Sequence, residues 1–168
     1  MKSFVFLVVF LSFSLFFGNI NADTLSNEAK LRGINDTCQS YLSQIESSYG
    51  LKGINLTFAH PIDPSFHPSL HTTTQKFNNG SSFFAATLSP DNEFCYLSMI
   101  KFTIVNNQSC DEIIQVRLNE DPSLLINQYA DGSYTHITPK SSENQSILVS
   151  TGDSSCTMTE SQMLWPGK

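Results

Sequence analysis

Charged side chains are scarce in this sequence, and basic ones are the scarcest. Only 14% of the 168 residues are Asp, Glu, Lys or Arg, the formal net charge is −6, and the nine Lys and Arg residues form no cluster. Nucleic acids and anionic membranes attract proteins that carry clustered Lys and Arg. The composition therefore argues against both as partners.

Cysteine is also rare, and its spacing limits its use. No two cysteines are separated by the two to four residues that are typical of a zinc site built on cysteine pairs. In an exported chain, four cysteines instead predict two disulfides, for which three pairings are open. The cysteines are Cys38, Cys95, Cys110 and Cys156.

Long apolar runs are absent beyond the N-terminus. The run from Phe4 to Phe17 would reach only about 21 Å as a helix, whereas a bilayer core measures ~30 Å. Lys2 precedes it and a polar stretch ending in Ala22 follows, as in a signal peptide. We predict a signal peptide over 1–22, with an uncleaved anchor as the alternative. Residues 23–168 are predicted to form a single α+β domain that is secreted or periplasmic, without stable membrane insertion after cleavage.

An amphipathic helix is predicted over 31–49, where large apolar side chains recur every three or four residues. Ser26 is a suitable N-cap, and Gly50 suits the position after the last turn. Gly33 costs about 1 kcal/mol relative to Ala inside a helix, which favours a start near residue 34.

The second half of the chain is predicted to be a series of strands, after a polar segment over 51–81. The pair Asp131-Gly132 is typical of a two-residue hairpin turn and sets Tyr129 opposite Tyr134 and Asn127 opposite His136. Another turn is predicted around Pro90. The predicted strands fall within 81–88, 93–105, 111–120, 124–139, 146–151 and 156–164.

The predicted fold is an N-terminal helix packed on an antiparallel β-meander of six or seven strands, braced by two disulfides. This layout resembles the cystatin-like architecture in outline, although the Gln-x-Val-x-Gly loop of that family is absent. The run over 93–105 is apolar on both sides, which predicts a central strand covered on both faces for part of its length. We expect no internal repeat.

The order of the strands favours one disulfide pairing. Cys95 begins a long strand and Cys110 follows its end, so about ten residues, or roughly 33 Å, separate them. A disulfide requires Cα atoms within about 7 Å. We therefore predict the bonds Cys38–Cys95 and Cys110–Cys156.

The stretch FAHPIDPSFHPSLH over 58–71 suggests a metal site. His60, Asp63, His67 and His71 are side chains that bind zinc or another divalent ion. Three prolines in the same stretch favour an extended backbone, and no His-Glu-x-x-His helix motif is present. An exposed loop without a metal is therefore the competing interpretation.

No catalytic constellation is recognisable, so an enzyme is not favoured. We predict a secreted non-catalytic binding or interaction module, either an inhibitor or a surface-recognition protein, that needs no cofactor. The alternative is a metal-binding protein or a metal-dependent hydrolase, with a divalent metal such as zinc bound by the histidine loop. The expected partner is an extracellular or periplasmic protein, with carbohydrate as a weaker candidate. Side chains predicted to contact the partner are Tyr129, Tyr134, His136 and Trp165.

Five Asn-x-Ser/Thr triplets could accept glycans in a eukaryotic secretory pathway. They begin at Asn35, Asn55, Asn79, Asn107 and Asn144.

Overall fold

The computed structural model describes residues 24–129, 132–140, 145–151 and 155–165, where it has three helices and eight strands. The helices are α1 (Leu25–Leu31), α2 (Asp36–Tyr49) and α3 (Cys110–Glu120). The strands are β1 (Ile54–Phe58), β2 (Ser69–Phe77), β3 (Gly80–Asp91), β4 (Phe94–Asn106), β5 (Leu124–Gln128), β6 (Tyr134–Pro139), β7 (Gln145–Thr151) and β8 (Ser155–Leu164). The α+β class is confirmed, with more helices and strands than predicted. The predicted signal peptide lies outside the described residues.

All eight strands form one antiparallel sheet in the order β1-β2-β3-β4-β8-β7-β6-β5. The first four strands are a meander, and so are the last four. The two meanders join at their fourth strands, where β4 pairs with β8. The sheet therefore has β1 and β5 at its edges.

Two helices stand where one was predicted. Gly33 has a φ of +77°, which a helix interior does not permit, so α1 ends before it. Asn35 then caps α2 by accepting a hydrogen bond from the Cys38 amide at 2.9 Å, and Gly50 ends α2 in the left-handed conformation. The carboxylate of Glu46 in α2 accepts hydrogen bonds from the first amides of α1, so the two helices form one layer.

The helices cover one face of the sheet in two cores. The first lies between α1, α2 and β3–β4, and the second between α3 and β6–β8. Register places both cores on the same side, because Val105 on the α2 side of β4 pairs with Cys156 under α3. The first core includes Leu25, Leu42, Phe84, Leu88 and Leu97, and the second Ile114, Ile137, Val149 and Met158.

Both predicted disulfides are confirmed. Cys38 in the first turn of α2 bonds to Cys95, the second residue of β4, with 5.3 Å between Cα atoms. Cys110 at the start of α3 bonds to Cys156, the second residue of β8, at 5.0 Å. The two halves thus share one layout, in which a helical segment precedes a four-stranded meander and a disulfide joins the two.

Three local predictions are wrong. The segment predicted as a strand over 111–120 is helix α3, because Ser109 and Glu112 form a capping box that starts a helix. The polar segment over 51–81 contains β1 and β2. Pro90 lies inside β3 rather than in a turn, and the chain turns after Asp91, where Asn92 has a φ of +51°.

The register of the second hairpin is as predicted. Asn127 pairs with His136, and the amide of Tyr129 donates a hydrogen bond to the carbonyl of Tyr134 at 3.0 Å. Of the predicted turn, Asp131 lies outside the described residues and Gly132 has a φ of +70°.

Candidate functional site

One face of the sheet has no helix packed on it among the described residues. Side chains alternate along each strand, so the neighbours of the core residues point to this side, which we call the open face. On β1–β4 and β8, nine large apolar side chains point to this face and are 40–58% exposed. They are Ile54, Leu56, Phe58, Leu70, Phe83, Tyr96, Phe102, Ile104 and Met163.

This apolar area is large for a protein surface. An aromatic side chain that is fully buried removes about 150–250 Å² from solvent. On this scale a half-exposed large side chain exposes roughly 80–100 Å², and nine of them together expose on the order of 800 Å². The largest apolar patch on a typical monomer is about 300–600 Å². The open face therefore has the size and character of an interaction surface.

The open face is also almost free of charge. Among the described strand residues that point to it, the Asp, Glu, Lys and Arg side chains are Lys76 and Asp91 alone. Both are exposed and lie near strand ends. A partner of this surface would consequently bury few charges.

The middle of the open face has a ridge beside a hollow. Phe83 and Phe102 pair across β3 and β4, and with Ile104 they form the ridge. The next side chain on this face along β3 is the small Ala85, and along β4 the small Ser98 follows Ile100.

The small side chains form the floor of a hollow of about 510 Å³. Other residues that line it include Leu70, Thr87, Ile100, Ser161, Met163 and Trp165.

The four side chains predicted to contact a partner lie on or beside this face. Tyr134 and His136 point to it from β6, and the Tyr129 ring packs edge-on against Tyr134 with centroids 6.3 Å apart. Both tyrosines are about half exposed. His136 Nε2 lies 2.7 Å from Ser146 Oγ, and Trp165 is 54% exposed at the hollow.

The predicted metal ligands do not converge. His71 is fully buried in β2, where its Nδ1 lies 3.0 Å from Thr57 Oγ1 and its Nε2 lies 2.8 Å from Ser69 Oγ. Burial lowers the pKa of His71 to about 4. In the part of the chain that the structure describes, no group of three or more His, Cys, Asp or Glu side chains is placed to hold a metal. Both ring nitrogens of His71 are thus used by hydroxyl groups.

His60 and His67 do come together. Their ring centroids are 4.1 Å apart in the loop between β1 and β2. However, His60 Nδ1 accepts hydrogen bonds from the amides of Ile62 and Asp63 at 3.4 and 3.1 Å. In the neutral ring this leaves Nε2 protonated, so a metal would have to displace those bonds.

The Ser69–His71 contact has the distance of a nucleophile and its base, a feature that the sequence did not reveal. A catalytic pair must be reached by substrate. Ser69 is 4% exposed and His71 is 0% exposed, and neither lines the hollow. The hydrogen bonds of this pair therefore satisfy buried polar groups beneath α1.

An ion cluster lies on the opposite face, between α2 and α3. The buried Glu160 of β8 accepts a hydrogen bond from Arg117 of α3 at 3.0 Å and lies 3.6 Å from Lys101 of β4. Lys101 Nζ is 5.1 Å from the centre of the Tyr49 ring. Burial and the Glu160 carboxylate raise the pKa of Tyr49 to about 12. These contacts tie the two halves of the fold together.

Of the described glycan acceptor sites, two are exposed between elements and two use their side chains in hydrogen bonds within the fold. Asn79 and Asn107 are exposed between elements. Asn35 caps α2 and donates to the carbonyl of Ser65, and Asn55 accepts a hydrogen bond from Thr73 at 2.7 Å. Asn144 lies outside the described residues.

The described helices are too short and too polar to cross a bilayer. Comparison of the chain with models of protein families, with curated proteins and with solved structures gave no match.

Proposed function

We propose that this protein is a secreted, non-catalytic binding module that recognises another protein through the open face. The observation that carries the proposal is the uncovered apolar surface on the order of 800 Å², around the hollow. This is the area that a standard protein interface buries on each partner. A carbohydrate ligand would favour a more polar surface.

An extracellular setting agrees with the covalent structure. Two disulfides brace the fold and no described cysteine is free, as in proteins that mature in an oxidising compartment. A rigid scaffold also lowers the entropic cost of binding. The alternative of a metal-binding protein or metal-dependent hydrolase keeps only the contact between His60 and His67 in its support.

Partner capture with matched variants tests this function. In the double variant Phe83→Thr, Phe102→Thr the ridge is removed, while threonine keeps the strand preference of both positions. Val116→Thr changes an apolar residue of α3 that is 49% exposed on the other side of the sheet. The wild type and the α3 variant should retain the same proteins from extracellular fluid, and the double variant should lose them. Equal retention by all three would refute the role of the open face.

A further inference from the structure

We propose that the partner at the open face is a second copy of this chain, packed sheet against sheet about a twofold axis. The proposal rests on the proposed function, since it names the partner of the same surface. The axis lies between the two sheets and runs across the strands. Side chains of paired residues form rows across the strands, and the axis passes between the row that contains Phe102 and the next row, which contains Ile100.

Ridge and hollow are complementary under this rotation. A twofold axis across the strands leaves each strand facing its own copy but reverses its direction. A side chain on one side of the axis therefore faces the side chain of the second copy that lies equally far on the other side. Phe102 then faces Ile100 of the second copy, Phe83 faces Ala85, and Ile104 faces Ser98. Each ridge enters the hollow of the other copy, so the contact between ridge and hollow occurs twice, as in an isologous dimer.

The area agrees with a stable dimer. Two open faces would bury on the order of 1,600 Å² in total, which is a standard interface. Two sheets that pack face to face lie about 10 Å apart with their strands nearly aligned, so interdigitated side chains fill the space between them. The β4 strand would then be covered on both faces, as its apolar pattern predicts.

The distribution of charge favours a copy over a different partner. The chain carries a net charge of −6, so contact between two copies through charged surfaces would be repulsive. The open face avoids this, because Lys76 and Asp91 are its charged residues among the described strand positions. The surface also offers no charge pattern by which it could select an oppositely charged protein.

Sedimentation of the oxidised chain from micromolar to submillimolar concentration tests the proposal. The wild type and Val116→Thr should reach the mass of two chains. Phe83→Thr, Phe102→Thr should raise the dissociation constant of the dimer by about 100-fold or more, because each side chain is used twice. A wild type that stays monomeric, or a double variant that dimerises equally well, would overturn the dimer. A monomeric wild type that still captures a protein through the open face would leave the proposed function intact.

Cross-linking tests the orientation of the two copies. The single variants Ile104→Cys and Ser98→Cys are mixed in equal amounts and oxidised, which should give almost only the mixed disulfide-linked dimer. The ratio of about 1:2:1 that random pairing gives for the self-linked, mixed and self-linked products would contradict the ridge-into-hollow geometry. A control pairing of Ile104→Cys with Val116→Cys, on the opposite side of the molecule, should give no cross-linked product.

Discussion

Replacement of His71 by glutamine should remove most of a steep loss of stability in acid. His71 is fully buried and has no charged partner in its hydrogen bonds, which go to the hydroxyls of Thr57 and Ser69. The protonated ring would be an unpaired buried charge. Folding therefore favours the neutral ring, and the pKa falls from 6.5 to about 4.

The sign and size of the effect follow from linkage between protonation and folding. Because the folded pKa lies below the unfolded one, the unfolded chain binds more protons between pH 6.5 and about 4. Stability that is fully present above pH 6.5 is lost as the pH falls through this window. A shift from 6.5 to about 4 corresponds to a loss of roughly 2 kcal/mol by pH 5 and roughly 3 kcal/mol by pH 4.

Urea unfolding at pH 7, 6, 5 and 4 measures this loss. Carboxylates also titrate in acid, so the informative quantity is the difference between the wild type and His71→Gln at each pH. At pH 7 the variant should be less stable, because the amide does not reproduce both ring hydrogen bonds. That difference should shrink steadily towards pH 4. A difference that is constant with pH would refute the assignment of a depressed pKa to His71.

Two further predictions concern the charges and the histidine loop. Glu160→Gln should lower the free energy of unfolding by about 3 kcal/mol, because two cations lose their buried carboxylate, whereas Glu120→Gln, whose carboxylate is exposed, should change it by less than about 0.5 kcal/mol in the same urea assay. Equal effects would contradict a buried ion cluster. Calorimetric titration with zinc should show no stoichiometric binding to the wild type. One zinc per chain that is lost in His60→Ala, His67→Ala would instead favour the metal-binding function.

Where local chemistry was unambiguous, the sequence was sufficient. The Asp-Gly pair and the alternation around it predicted the partners Asn127 and His136. The direction of one long strand was enough to choose the disulfides, because Cys110 follows the end of β4 and lies far from Cys95 whether a strand or a helix comes next. These predictions depend on chain geometry, which short stretches of sequence determine.

Helix α3 was mistaken because its pattern fits two periods. Ile114, Val116 and Leu118 alternate as in a half-buried strand, but Cys110, Ile114 and Leu118 also recur every four residues. The structure buries Cys110 and Ile114 and leaves Val116 exposed. The capping box at Ser109 decides between the two in favour of the helix.

The candidate site was only partly visible in the sequence. The residues predicted to contact a partner are recognisable one by one in the sequence, as aromatic or hairpin residues, and the fold brings them onto or beside one face. The apolar pattern of β4 was interpreted as burial on both sides, but one chain covers only the side under α2. What remained unknown was the strand order, since β4 pairs with a strand about 60 residues later. Long-range pairing of this kind leaves no local signal.

The shared layout of the two halves explains why the open face extends across the whole sheet. Each half of the fold has one helical layer, which can cover one face of its four strands. Pairing of β4 with β8 sets both layers on the same side, so the uncovered faces of the two halves are continuous. Eight of the nine apolar side chains lie on β1–β4, and Met163 of β8 extends the apolar area across the junction of the two halves. The topology therefore creates, without any further loop or insertion, the surface to which we assign the proposed binding.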